Sequence, residues 1–265
     1  MKKFTFYLTA FLLFTLKLAA QFSTVASLNP VTILSNTGET PQSKVWTYAG
    51  KHWCVLANSS GTIIYRLDGS TWTNTLVLAS GSTAKADIKV VGNVVHIVVW
   101  KGTASTFYSV EYNASTNKYK LWTQRTARVD LTLETGVNSI VIDVDANGRM
   151  WMASDGKNTI NVRWSDSPYS TWSAPVVLAT DVTDADQCSV IAMPAIGKTG
   201  VFWSNKSTKR FAFKTHLDGS DPTVWSSDEA PGSAGALNIG GGFADSQLDL
   251  KETSDGTVYS VIKTN

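Results

Sequence analysis

A polar or acidic side chain stands just ahead of four short runs rich in apolar residues: Asp87 before Ile88, Asn138 before Ser139, Asp186 before Gln187 and Asp245 before Ser246. Carboxylates and amides brought to one point accept hydrogen bonds from sugar hydroxyls or hold a cation. With Tyr48 as an aromatic able to stack on a pyranose face, these four form the candidate ligand-binding set. The same residue types also cap their own loops, which is the competing reading at each position. Other chemistry finds less material. His52, His96 and His216 are the only histidines, and none sits in HExxH or Cys/His spacing, so neither a metal site nor a cofactor is expected. Gly240-Gly241-Gly242 lacks the Lys-Ser/Thr that completes a phosphate-cradling loop and reads as a flexible connection. The stretch from Asp143 to Gly148 opens like a calcium-binding EF-hand loop, but its twelfth position is Ser154 and a hairpin turn accounts for it.

The elements that must position these groups repeat. Trp72, Trp122, Trp172 and Trp225 recur every fifty residues or so, each after a turn-like segment such as Leu67-Asp68-Gly69-Ser70 or Leu217-Asp218-Gly219-Ser220. Between them, β-branched and aromatic runs alternate with turn signals every eight to twelve residues, and no convincing amphipathic helix follows the N-terminal segment. The third unit is clearest, with strands predicted over 139–144, 149–154, 159–164 and 172–178. Four antiparallel strands in about fifty residues is the dimension of a propeller blade. The fold class read from this is all-β, a β-propeller of four-stranded antiparallel blades with about five blades in the chain. The positions ahead of each innermost strand would then converge on one mouth of a central channel. A run from Asn29 to Leu34 resembles an outermost strand, and one of two architectures has it close a five-bladed ring by pairing with the last blade, whose second strand ends close to Asn265. The alternative is that the chain is the front part of a longer propeller, which suits an ending in mid-blade better.

Composition bounds the setting. Lys2 and Lys3, the apolar run from Phe4 to Leu16 and the small-residue exit at Ala19-Ala20 fit a secretory signal peptide over residues 1–20, leaving 21–265 as one propeller domain. Thirteen apolar residues are too few to span a bilayer that needs about twenty, so no membrane association is expected after cleavage. The net charge of +2 becomes −1 once Lys2, Lys3 and Lys17 are gone, and no basic run remains, so nucleic acid is not an expected partner. Cys54 and Cys188 are too few to staple a chain of 265 residues and read as buried free thiols. Three Asn-x-Ser sequences, at Asn58, Asn113 and Asn205, read as turn chemistry. Trp46, Trp100 and Trp203 are further stacking candidates, whereas Trp53, Trp151 and Tyr259 are expected to fill the spaces between blades.

The stretch from Arg163 to Pro175, with Ser165-Asp166-Ser167-Pro168 and Trp172, resembles a degenerate Asp-box, the repeat of sialidase-like propellers; the other turns resemble it more weakly. The end of the chain, from Asp255 to Thr264, is similar to the interior of large secreted propeller proteins of Bacteroidetes-type bacteria. The resemblance implies a propeller in which the box Trp packs between sheets, away from the ligand face. It also invites a sialidase-like glycoside hydrolase, which needs three convergent Arg, a Tyr with a Glu partner and an acidic Asp. The six Arg, at 66, 125, 128, 149, 163 and 210, fall on outer or second strands, and no Arg-Ile-Pro motif occurs. The expected function is therefore a secreted, non-catalytic propeller that binds a glycan or another extracellular or cell-surface polymer, with the hydrolase and a protein-binding scaffold of the cell envelope as alternatives.

Overall fold

The computed structural model describes residues 27–33, 43–80, 85–208, 210–227 and 248–262. Apart from one 3-10 turn at Pro194–Ile196, the regular elements there are all strands, and they gather into five antiparallel sheets in chain order. Blade 1 holds β1 (Val45–Tyr48), β2 (Lys51–Asn58), β3 (Gly61–Asp68) and β4 (Thr71–Ser80). Blade 2 holds β5 (Lys85–Val91), β6 (Val94–Trp100), β7 (Ala104–Asn113), β8 (Lys118–Leu121) and β9 (Val129–Thr132). Blade 3 holds β10 (Ile140–Val144), β11 (Met150–Asp155), β12 (Ile160–Ser165) and β13 (Val176–Ala179). Blade 4 contributes β14 (Cys188–Met193), β15 (Lys198–Asn205) and β16 (Arg210–Leu217), and blade 5 contributes β17 (Leu248–Glu252) and β18 (Val258–Ile262). The first strands β5, β10, β14 and β17 neighbour one another in turn, and together with Ser43 ahead of β1 they surround one axial cavity. This is a β-propeller, and its innermost strands lead from the positions singled out above.

Stacking buries both faces of a blade, which is why the second strands are continuous apolar runs rather than alternating ones. In β6, Val95, Ile97 and Val99 pack with blade 1, while Val94 and Val98 pack with blade 3. Three of the recurrent Trp residues, Trp122, Trp172 and Trp225, pack in these seams, while Trp72 lies on the blade 1 face formed by Cys54, Ile63 and Tyr65. Trp172 meets Phe107 of blade 2 edge-on at 5.3 Å, and Trp225 meets Trp151 of blade 3 edge-on at 5.5 Å. The residue after the Trp adds a brace. Ser173 Oγ accepts from Trp164 N while Ser173 N donates to Trp164 O, and Ser226 does the same with Thr215. Turn geometry selects glycine at two informative points. Gly148 closes the β10–β11 hairpin at φ 82°, and Gly61 sits at φ 132° where a Cβ would lie 2.0 Å from the carbonyl oxygen of Ala79.

The strands of blade 3 lie within one residue of the predicted ones except the last, which begins at Val176 rather than residue 172. Pro175 has no N–H to give the ladder, and Ser173 spends its side chain on the brace instead. Blade 2 departs further. Its outer position is shared by two short strands, β8 on one half of β7 and β9 on the other, because the loop between them turns Arg125 inward. Arg125 is buried; its guanidinium donates to the carbonyls of Ala127 and Pro168 and to Ser109 Oγ and lies over the Phe107 ring. His96 shares Ser109 at 2.8 Å and packs among Phe107, Trp122 and Tyr169.

The N-terminal run corrects the expected closure. Asn29 donates its N–H to Ser70 O and its side-chain amide to Thr71, and Val31 packs on the Cys54, Ile63 and Tyr65 face of blade 1. It forms no strand, since Pro30 interrupts the backbone donors, and it lies on the first blade rather than the last. Cys54 and Cys188 are buried and unbridged, with burial pushing the Cys54 thiol up to about 12 and the Cys188 thiol well above its usual value. The signal-peptide segment 1–20, Leu34, the Gly240–Gly242 run and Asp245 lie outside the described residues.

Candidate functional site

The inner edge of each first strand leaves backbone N–H groups pointing at the axis with no neighbouring strand to take them. Two carboxylates answer this. Asp87 on β5 reaches forward to Ile142 N on β10 at 2.8 Å with one oxygen, and its other oxygen accepts from Ser43 N at 2.5 Å. Asp143 on β10 reaches forward to Ala192 N on β14 at 2.8 Å, while its second oxygen takes Val144 N and pairs with the Lys89 ammonium. Each acid thus ties its own blade to the next. Burial is the main influence on Asp87 and pushes its carboxyl up to about 8, opposed by the Ile142 and Ser43 amides and by nearby Lys44.

Around these ties lies an axial cavity of about 230 Å³. Its charged lining is Asp87, Lys89, Asp143, Asp249, Lys251 and Glu252, joined by Ser43 and Ser189 and by apolar backbone stretches of β10 and β14. Asp249 and Lys251 are exposed to solvent there, and among the described residues Asp249 accepts only from its neighbour Leu250 N. One oxygen of Glu252 is buried without a hydrogen-bond partner. Blade 5 therefore supplies the groups best placed to meet a solute, since those of blades 2 and 3 are engaged with backbone and with each other. A mixed set of carboxylates and ammoniums in a narrow polar cavity can bind a molecule rich in hydroxyls, donating from Lys and accepting at Asp and Glu. Among the described residues no aromatic lines it, and none of the six arginines does.

The residues read from the sequence are dispersed. Asp87 lines the cavity, with both oxygens occupied as described. Asn138 stands at the upstream end of β10 and donates its side-chain amide to the Gly136 and Asp184 carbonyls, and its own N–H goes to Asp155. Asp186 is completely buried and accepts from Thr183 N, Ser204 Oγ and Lys206 N, so it knots the loop ahead of β14. Tyr48 lies at the downstream end of β1 and packs edge-on at 5.1 Å against Tyr112 of blade 2. Asp245 falls outside the described residues. Trp46 and Trp203 are buried between blades, and Asp145 spends its oxygens on Asn147 N, Arg149 N and Trp151 Nε1 in a hairpin turn. Tyr259, expected in a seam, is 62% exposed, and among the described residues no blade packs on its side of β18. Lys89, Asp143, Lys251 and Glu252 were the residues to find; Asp143 was signalled as the one charge in the apolar strand Ile140–Val144, whereas β5 and β17 each carry three charges and single out none of them.

No protein-family model and no curated protein matches the chain. Among solved structures it is similar to a bifunctional GH43-CE protein of Bacteroides eggerthii, with 12% identity and a TM-score of 0.47 over 88% of this chain and 32% of that one. It is also similar to a xylan β-1,4-xylosidase of Bacillus halodurans C-125, with 11% identity and a TM-score of 0.43 over 89% of this chain and 50% of that one. An α-L-arabinofuranosidase of Lactobacillus brevis matches at 12% identity and a TM-score of 0.45, over 80% of this chain and 79% of that one. The chain thus spans about a third of the first of these proteins and half of the second.

Proposed function

We propose that this propeller is an exported, non-catalytic binding domain, residues 21–265 after removal of a signal peptide, that holds a glycan or another hydroxyl-rich extracellular polymer at its axial cavity. Its turns are read as degenerate Asp-boxes, which serve the fold and not the ligand. The supporting observation is the cavity itself, polar at its centre, with Asp249, Lys251 and Glu252 left uncommitted by the blade-to-blade ties. At about 230 Å³ it is smaller than the ~300–1,000 Å³ of common small-molecule pockets. That size suits a single sugar unit or a chain end. The absence of a lining Arg speaks against carboxylate-gripping sialidase chemistry. Asp87 and Asp143 spend their oxygens on backbone N–H groups, which assigns them to holding blades together.

A glycan array followed by calorimetry on the best hit tests this. Binding that weakens at least tenfold in both Lys251→Ala and Glu252→Gln is the expected result. An array without hits, or affinity untouched by both substitutions, would overturn the assignment of ligand and cavity.

A further inference from the structure

Among the described residues Trp53, Trp151 and Trp203 are the most deeply buried tryptophans. The first two spend their indole N–H, Trp53 on the Tyr48 carbonyl at 3.1 Å and Trp151 on Asp145 at 2.9 Å. Trp203 Nε1, equally buried, has no partner there. A buried donor without an acceptor is unfavourable, and in a native fold it marks the place of a water, an ion or a ligand. Trp203 lines a cavity of about 530 Å³ at the seam of blades 3 and 4, against about 230 Å³ at the axis. The larger volume falls within the ~300–1,000 Å³ of common small-molecule pockets.

Strand alternation explains what lines it. Trp203 and Asn205 share one face of β15, and the register with β16 sets Ala212 opposite Trp203 and Arg210 opposite Asn205. That face looks towards blade 3, where Trp203 packs with Leu178 and Val182. Blade 3 contributes Asp181 from the loop after β13. Asn205, 4% exposed, fixes this acid by donating Nδ2 to its Oδ2 at 2.9 Å, while its own Oδ1 accepts from Thr208 N at 3.0 Å. Among the described residues the other oxygen of Asp181 accepts nothing, and Arg210 is exposed and pairs with no carboxylate.

From this cavity we infer a second ligand site, lateral to the axis, that takes a neutral sugar unit. Trp203 and Arg210 are donors without acceptors, and Asp181 is an acceptor without a donor. A hydroxyl is both at once, so hydroxyls on one ring accept from the indole and the guanidinium and donate to the carboxylate. The one cation and one anion of the lining balance, so a charged ligand would set a like charge beside Arg210 or Asp181. Phe211 and Ala212 supply apolar wall for the C–H groups of the ring. The site shares a ligand class with the axial cavity but none of its residues, so the two stand or fall separately.

Titration of the isotope-labelled mature chain with methyl glycosides of neutral hexoses and pentoses, read at the indole N–H signals, tests this. The Trp203 signal, placed by sequential assignment, is expected to move with at least one glycoside at millimolar concentration. Arg210→Ala and Asp181→Asn are each expected to weaken that binding at least tenfold. Both positions are exposed, and the second substitution keeps an oxygen for Asn205, so the fold is not at stake. Lys251→Ala and Glu252→Gln, at the axis, are expected to leave the affinity read at Trp203 unchanged. The uronic acid and the amino sugar that match the best glycoside are expected to bind at least tenfold more weakly than it does. A Trp203 signal that no glycoside moves would show a cavity that holds water alone and would overturn the proposal. Binding untouched by Arg210→Ala and Asp181→Asn, binding lost in the axial variants, or a charged sugar held as tightly as the neutral one would each overturn it too.

Discussion

The seam between blades 2 and 3 and the outer face of blade 5 are built from the same kinds of residue with opposite results. In the seam, Arg125 crosses from one blade to the Pro168 carbonyl of the next, His96, Phe107, Trp122 and Tyr169 interlock as rings, and Tyr169 seals the turn below through Gly148 O. On blade 5, a Tyr and a Val of equal hydrophobic potential lie in solvent. Composition alone does not distinguish the two regions; what differs is whether a neighbouring sheet arrives to cover the residues. The stability of the propeller is therefore concentrated in the seams rather than spread evenly over its strands.

The comparison breaks most visibly at Arg125. Arg125→Ala leaves carbonyls and Ser109 without their donor and opens a cavity under Phe107, and a loss of about 3–5 kcal/mol is expected in urea unfolding. If the loss is below about 1 kcal/mol, the seam is held by its rings alone. His96 gives the next effect, through pH. Burial holds its imidazole down at about 4 in the folded chain against 6.5 when unfolded. Below 6.5 the unfolded state therefore takes a proton the folded state refuses, so the neutral ring's contribution is complete above pH 6.5 and is lost as pH falls to about 4, up to about 3 kcal/mol in all. Asp87, raised to about 8, and Asp155, raised to about 7 by burial, act in the opposite sense over that range. They are common to wild type and variant, so the destabilisation caused by His96→Asn is expected to shrink between pH 7 and pH 4. A constant difference would mean that His96 titrates normally.

On the blade 5 side the expected effects are smaller. Leu248→Ala, beneath Phe202 and Phe211, removes the anchor of the two-stranded sheet and is expected to cost about 2 kcal/mol. Hydrogen exchange should show that cost confined to β17 and β18. Tyr259→Ser should shift dilute-solution stability by less than about 0.5 kcal/mol, as for other exposed sites. A larger loss would mean that something covers the face in solution.

The fold was legible where its signals are local. The Trp period marks the seams, and turn residues such as Asp145 to Gly148 locate hairpins within one residue, because turn conformation and strand alternation are decided by neighbours in the chain. The split outer strand of blade 2 was not legible, since the loop that divides it is held by Arg125 reaching the Pro168 carbonyl of another blade. The site was legible only in part for the same reason. Asp87 was visible as an acid beside an inner strand, but its partner, Ile142 N, is a backbone group 55 residues away that carries no mark in the sequence. Asp186, an acid of the same type, differs in bonding loop groups within 20 residues of it, and Asn138 spends its amide on the Gly136 and Asp184 carbonyls.

The acids at the axis have a direction. Of their links to other blades, those to Ile142 and Ala192 point 55 and 49 residues forward along the chain, while the link from Asp87 to Ser43 points 44 back. A polypeptide delivered N-terminus first therefore leaves one oxygen of each carboxylate without its inter-blade partner until the next unit has followed it. Assembly in that order resembles a zip, in which every tooth is set before the one it engages, and the blade that has just emerged is always the one least secured.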